Sequence, residues 1–261
     1  MVQKVLHKDF LNACRWLADE NNIILTEYKP EEDRPPKPFD ASRYERFFER
    51  PWLNDEAKKF LFEERHLDPR VVRWCHLTSW KDKHGVPWLQ TPYYSREKKL
   101  IGIQNRNLNW SKEKETQEEQ EVPRFRFPTG SQCNLYGLPI LNLLKPGETL
   151  FITEGCSDCW AMLSAGHKAI AIPSATLLSK KDKDLLRHLE HLGDSPSVIR
   201  SAAHSGDSPR VRFAMYPDRD VPGERLFLQL KEVLPSLVRH QLPVGCKDYS
   251  DYYLKCIIHN S

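Results

Sequence analysis

The chain has 261 residues, enough for one large domain or two small ones, and 39% of them are apolar against 29% charged. No apolar run approaches the roughly 20 residues that cross a bilayer, and Met1 to Phe10 carry charges, so neither a membrane span nor a secretory leader is read. The net charge of +3 is too small by itself to imply nucleic acid, and seven cysteines at irregular spacing argue for reduced thiols and a cytoplasmic setting.

In chain order, Leu6, Phe10, Ala13 and Leu17 recur at helical spacing. Residues 29–40 hold four prolines and read as an extended linker. Asn54-Asp55-Glu56 starts a helix that Arg65 and His66 suit as its end, and Asp68-Pro69 starts a short one through Val72. Residues 86–106 alternate as strands around a turn near Ser95 to Lys98, the second strand being Lys99–Gln104. Residues 111–121 have no apolar side chain and read as a solvated excursion. In Arg124-Phe125-Arg126-Phe127 strict alternation puts arginines on one strand face and phenylalanines on the other, the rings being expected in the core.

From residue 148 strands alternate with helices: strand Thr149–Thr153, helix 157–165, strand Lys168–Ile172, helix 179–192 and a loop over 193–209. Strand Val211–Tyr216, helix Pro222–Leu234 and strand Leu237–Leu242 follow. This order predicts a parallel α/β sheet, whose function sits at the carboxyl ends of its strands. Those ends read Glu154-Gly155-Cys156-Ser157-Asp158, then Asp218-Arg219-Asp220-Val221-Pro222-Gly223, and after the last strand Lys247-Asp248-Tyr249-Ser250-Asp251. One Asp-x-Asp is usually a solvated turn. Three acidic clusters at three strand ends bring carboxylates together, and Mg²⁺ or Mn²⁺ with substrate phosphates would neutralise them. Cys156-x-x-Cys159 has zinc spacing but no second pair, and Cys75, His76 and His84 lack a fourth ligand, so both groups are expected to pack as ordinary side chains.

The pattern Glu154-Gly155-x-x-Asp158 followed by Asp218-x-Asp220-x-x-Gly223 resembles the TOPRIM domain of primases, topoisomerases and related nucleases. The stretch Phe60 to Asp68 through Val72, the strand Leu100 to Arg106, Asn134-Leu135-Tyr136-Gly137-Leu138 and the Lys247–Asp251 segment are similar to the catalytic region of bacterial DNA primases. Two departures stand out: Pro173-Ser174-Ala175-Thr176 replaces the usual Gly-Thr, and residues 7–24 resemble only the tail of the zinc-binding module expected upstream. The resemblance implies an α/β fold, with a TOPRIM-type sheet over 148–258, a smaller α+β subdomain over 41–147, and a helix and linker over 1–40. It implies primer synthesis on single-stranded DNA from nucleoside triphosphates, with a replicative helicase as the partner the family adds and no membrane. Glu154, Asp218 and Asp220 would be catalytic. With Asp158 and Asp248 they would hold Mg²⁺ or Mn²⁺, while Arg106, Arg124 and Arg126 would contact phosphates. A TOPRIM nuclease and a non-catalytic nucleic-acid-binding module are the alternatives.

Overall fold

The computed structural model describes residues 37–111, 123–145, 147–173, 178–191 and 211–260, together with Ala13, Trp16 and Leu17, which are helical. Most of the proline-rich linker, nearly all of the acidic excursion, Ser174-Ala175-Thr176 and the 193–209 loop lie outside the described residues. The chain divides into the units Met1–Lys37 and Pro38–Ser261, and both sheets belong to the second.

That unit opens with a short helix, α1 (Glu45–Glu49). Helix α2 (Asp55–Lys58) starts where the sequence predicts: the Asn54 side chain accepts from the Ala57 N–H at 2.8 Å, and the helix widens into a π turn over Lys59–Glu64. Helix α3 (Pro69–Trp74) is capped by Asp68, which accepts from the Arg70 N–H at 2.7 Å. Then come strands β1 (Thr78–Lys81), β2 (Pro87–Tyr94), β3 (Leu100–Asn107) and β4 (Phe125–Arg126), an antiparallel sheet in that order. Strand β3 runs three residues past its predicted end because Asn105, Arg106 and Asn107 pair with Gln90, Leu89 and Trp88.

The second half is β5 (Thr149–Glu154), α4 (Cys156–Ser164), β6 (Lys168–Ile172), α5 (Lys180–His191), β7 (Arg212–Met215), α6 (Val221–Val233), β8 (Val238–Arg239) and α7 (Tyr249–Asn260). The sheet is parallel, in the order β6-β5-β7-β8. Strand β8 is shorter than predicted. Its neighbour β7 ends at Met215, just before Pro217, and leaves Gln241 and Leu242 no ladder to join.

Alternation along β5 feeds two cores. Leu150 and Ile152 join Ile170, Ile172, Phe213 and Met215 beneath α5 and α6. Phe151 faces the other way, into a core holding Cys156, Trp160 and Met162 of α4, Tyr249 and Tyr253 of α7, and Leu89 and Tyr93 of β2. This second core joins the two sheets. The Tyr93 hydroxyl lies 3.1 Å from the Cys156 thiol, and the Trp160 indole N–H donates to the Tyr136 hydroxyl at 2.9 Å.

Candidate active site

Strand order reverses between β5 and β7, which is where open α/β sheets form a crevice at their carboxyl ends. A cleft of about 700 Å³ opens there. The parallel-sheet half contributes Glu154, Asp158, Asp218, Asp220, Lys247 and Asp248 to it. The other half contributes Arg65, Arg106, Arg124, Phe125 and Phe127. All five predicted acids and two of the three predicted arginines therefore line one space.

Each acid is held by a local device. Glu154 ends β5, and Gly155 turns the chain into α4 at φ +88°, a conformation open to glycine. The Glu154 Oε2 atom is buried with no hydrogen-bond partner. Burial raises the Glu154 pKa and the charge of Asp220 adds to this, with Lys247 opposing. Asp158, in the first turn of α4, is 8% exposed. Its Oδ1 accepts from the Ser250 N–H at 2.8 Å and from the Ser250 hydroxyl at 2.7 Å, which ties α7 to α4. Burial, and then the charge of Asp248, push its pKa up to about 6.

Asp218 follows β7. Burial pushes it up to about 8, with further contributions from Asp158, Glu154, Asp248 and Asp220. Asp220 caps α6, accepting from the Gly223 N–H at 3.0 Å, while Lys247 Nζ stands 3.8 Å from its other oxygen. The Asp218-to-Gly223 spacing has a steric reason: a Cβ at Gly223 would sit 2.6 Å from the Asp218 carbonyl oxygen and 2.8 Å from its Cβ. Asp248 accepts from the Asp251 N–H at 2.8 Å, and Asp251 reaches back to the Lys247 N–H at 3.0 Å. This reciprocal arrangement starts α7.

The donor set is all carboxylate oxygen, the chemistry that hard divalent cations take. Among the described residues no three ligating groups already form a cage. Mg²⁺ does not need one, since it retains waters and combines one or two carboxylates with substrate phosphates. The unpartnered Glu154 oxygen and the repulsion that adds to burial in raising Asp218 and Asp158 are both features a cation would relieve, so these residues fit one.

On the facing side, the Arg106 guanidinium lies 4.8 Å from the Phe60 ring centroid and 5.9 Å from that of Phe125. Arg124 lies 4.5 Å from Trp110 and 5.0 Å from Phe125. Burial lowers the Arg106 pKa to about 10, with Arg124 and Arg65 adding repulsion. Arg126 is elsewhere: it stacks 4.7 Å from Trp88 and stands 3.8 Å from the Asp82 carboxylate. The register explains the split. Arg106 pairs with Phe125 and Asn105 with Arg126, so Arg106 and Arg126 point to opposite faces. Strand β4 has only two residues, so strict alternation does not reach Arg124 or Phe127. The core expected for the phenylalanines is accordingly corrected: Phe127 is 51% exposed and Phe125 half-buried, because both line the cleft at a sheet edge.

Arg65, Ser250 and the rings of Phe60 and Trp110 did not emerge from sequence reasoning as site residues. The legible signals were Arg65 as the end of a helix and the place of Phe60, Arg65 and Ser250 within stretches singled out by resemblance. Cys156 and Cys159 are buried core residues with pKa values raised by burial, as packing side chains should be. A separate cavity of about 490 Å³, lined by Phe48, Trp74, Tyr94 and Leu100 among others, holds none of the predicted acids or arginines.

No protein-family profile matches the chain. It is 25% identical to a DNA primase of Clostridium acetobutylicum, with 92% of this chain and 49% of that protein covered, so it spans about half the length of that relative. Its fold is similar to the zinc-binding and RNA polymerase domains of the Aquifex aeolicus primase, at a TM-score of 0.56 and 16% identity over 97% of this chain and 66% of that one. It is likewise similar to the RNA polymerase domain of Mycobacterium tuberculosis primase, solved with a double-stranded DNA oligomer bearing a 6-nucleotide overhang, at a TM-score of 0.53 and 19% identity over 78% and 71% of the two chains. By sequence the chain is homologous to DNA primase, and by structure it carries the α/β fold of the primase catalytic core.

Proposed function

We propose that this chain is a primase-like nucleotidyltransferase, which joins nucleoside triphosphates into short primers on single-stranded DNA with Mg²⁺ or Mn²⁺. The observation that carries the reading is one cleft in which five acids on the parallel-sheet half face Arg65, Arg106 and Arg124. In this reading residues 148–258 are a TOPRIM-type unit and residues 41–147 supply the basic wall. The reaction forms a bond from a 3′-oxygen to an α-phosphorus and breaks the bond to pyrophosphate, so it is mostly positioning and charge neutralisation.

Glu154, Asp218 and Asp220 would hold the cation, with Asp158 and Asp248 completing the patch. A bound divalent cation supplies neutralisation of triphosphate charge. The chain's own residues do the rest. As the alternative to holding the cation, Glu154 Oε2, unpartnered and raised in basicity, would take the proton of the attacking hydroxyl. Arg106 and Arg124 bind and orient phosphates through charge-assisted hydrogen bonds. Arg126, paired with Asp82, is left out of that role. No described helix is long and apolar enough to cross a membrane. In this reading the chain acts on DNA in the cytoplasm, where a replicative helicase would present the strand.

The test is incubation with single-stranded DNA, labelled ribonucleoside triphosphates and Mn²⁺. New oligomers support the proposal. Shortened DNA instead means a nuclease using the same acids, and binding with neither product means a binding module.

A further inference from the structure

The basic side of the cleft is built as a continuous stack. Trp110 lies under Arg124, and Arg124 over Phe125. Phe125 also meets Arg106, which lies over Phe60, and Phe60 carries Arg65 on its ring at 5.4 Å. Rings and guanidinium groups thus alternate through six side chains drawn from three segments: the π turn after α2, β3 with the residues just past it, and the β4 edge. Three like charges are gathered here although they repel one another, and the charges of Arg124 and Arg65 add to burial in lowering the Arg106 pKa. An aromatic face holds a guanidinium plane by its π surface and does not itself use the N–H edges. Such stacking fixes rotamers that a free arginine would have to freeze on binding an anion.

We propose that Trp110, Phe125 and Phe60 are positioning residues that hold Arg124, Arg106 and Arg65 as a preset rack for phosphate oxyanions. This rests on the reading of the cleft as a site for nucleic acid and nucleotide. It goes beyond that reading by giving three aromatic residues a role and adding Arg65 as a phosphate contact. The rings act through the arginines. Each ring carries at least one guanidinium group on it. The phosphates have two possible sources, a DNA strand or a nucleoside triphosphate, and the experiment separates them.

Phe125 is the ring to change, because it touches two guanidinium groups and is half-buried at an edge. Binding of oligothymidylate and, separately, of ATP is measured without divalent cation for Phe125→Leu and Phe125→Tyr. Each substitution is made in the natural chain and in an Arg106→Ala/Arg124→Ala background. The rack predicts that Phe125→Leu weakens at least one ligand about tenfold, two stacked cations each losing a few-fold. Phe125→Tyr, which keeps the π face, stays within about twofold. In the double-arginine background Phe125→Leu adds almost nothing, because the ring has nothing left to position. Loss confined to oligothymidylate assigns the rack to strand phosphates, and loss confined to ATP assigns it to the triphosphate.

Leucine binding both ligands as well as phenylalanine overturns the proposal. So does an equal loss in both backgrounds, since the ring would then touch the ligand or support the fold directly. Should circular dichroism show Phe125→Leu to be unfolded, Trp110→Leu puts the same question to Arg124, with the same outcomes deciding. Catalysis is not read in either arm. A chain that makes no primers yet shows this coupling loses the enzymatic proposal alone, and one that makes primers without it loses the rack alone.

Discussion

Asp218 shows what burial among crowded acids costs. Its pKa of about 8 lies above its ordinary 3.8, and that of Asp158, at about 6, does too. Between those values the folded chain binds more protons than the unfolded one, so the stability of the metal-free protein should fall as pH rises from about 4 to about 8. A thermal melt series in chelator checks the sign; a melting temperature that climbs over that range would refute it. Asp218→Asn removes one of the repelling charges, so at pH 8 without metal it should raise the melting temperature by about 2–4 °C, on the order of 1 kcal/mol. Together with Asp220→Asn it should reduce metal-dependent phosphoryl transfer by at least about 10²–10³-fold while DNA binding survives or strengthens. On the other wall, Arg106→Ala and Arg124→Ala should each lower the salt slope of single-stranded DNA binding by about 0.7, and Arg126→Ala should leave it unchanged. The acids were legible because their spacing places them at strand ends whatever the packing. The arginines were only partly so, since the face on which Arg126 points depends on its pairing with Asn105, and there it meets Asp82 and Trp88, far away in sequence.

At the level of elements, the site hangs on two joints. Gly223 lets α6 begin against the backbone of Asp218, and Ser250 pins the start of α7 to Asp158. Gly223→Ala forces a Cβ into backbone atoms that cannot swing aside, a cost of about 1–3 kcal/mol, and should displace both aspartates from the cleft. Denaturant unfolding with parallel Mn²⁺ titration would register both losses. Ser250→Ala removes one of two hydrogen bonds to a buried carboxylate and should cost about 1–2 kcal/mol, read as a lower urea midpoint at unchanged slope. The strands β5, β6 and β7 were legible as short apolar runs between helix signals. Strand β1 was not: Thr-Ser-Trp-Lys has no apolar pattern, and its place depends on pairing with β2 and on Thr78 and Ser79 bonding to the Trp52 and Asn54 backbone. Helix α7 was missed for a related reason. Its buried residues include Tyr249, Ser250 and Tyr253, of which two are tyrosines that suit strands as readily as helices and the third is a polar residue satisfied by Asp158.

Across the whole of Pro38–Ser261, ligand binding and folding should be linked. Mn²⁺ should raise the melting temperature, and more at pH 8 than at pH 5, because the acids must shed protons to accept it. An equal shift at both values would mean that the cation binds away from Asp218 and Asp158. The shared core between the sheets has a mechanical consequence. Tyr93 meets Cys156, Trp160 meets Tyr136, and residues of both sheets and α4 fill one apolar mass directly under the cleft. The two jaws are therefore bolted at the base, and amide protection in β2 and β5 should vanish together as one cooperative unit. A cleft of this build is a fixed-gauge die. The buried thiols Cys133 and Cys156 are part of its lining, and under the proposed primer synthesis the same opening would have to pass both the bare strand and the strand carrying its growing complement.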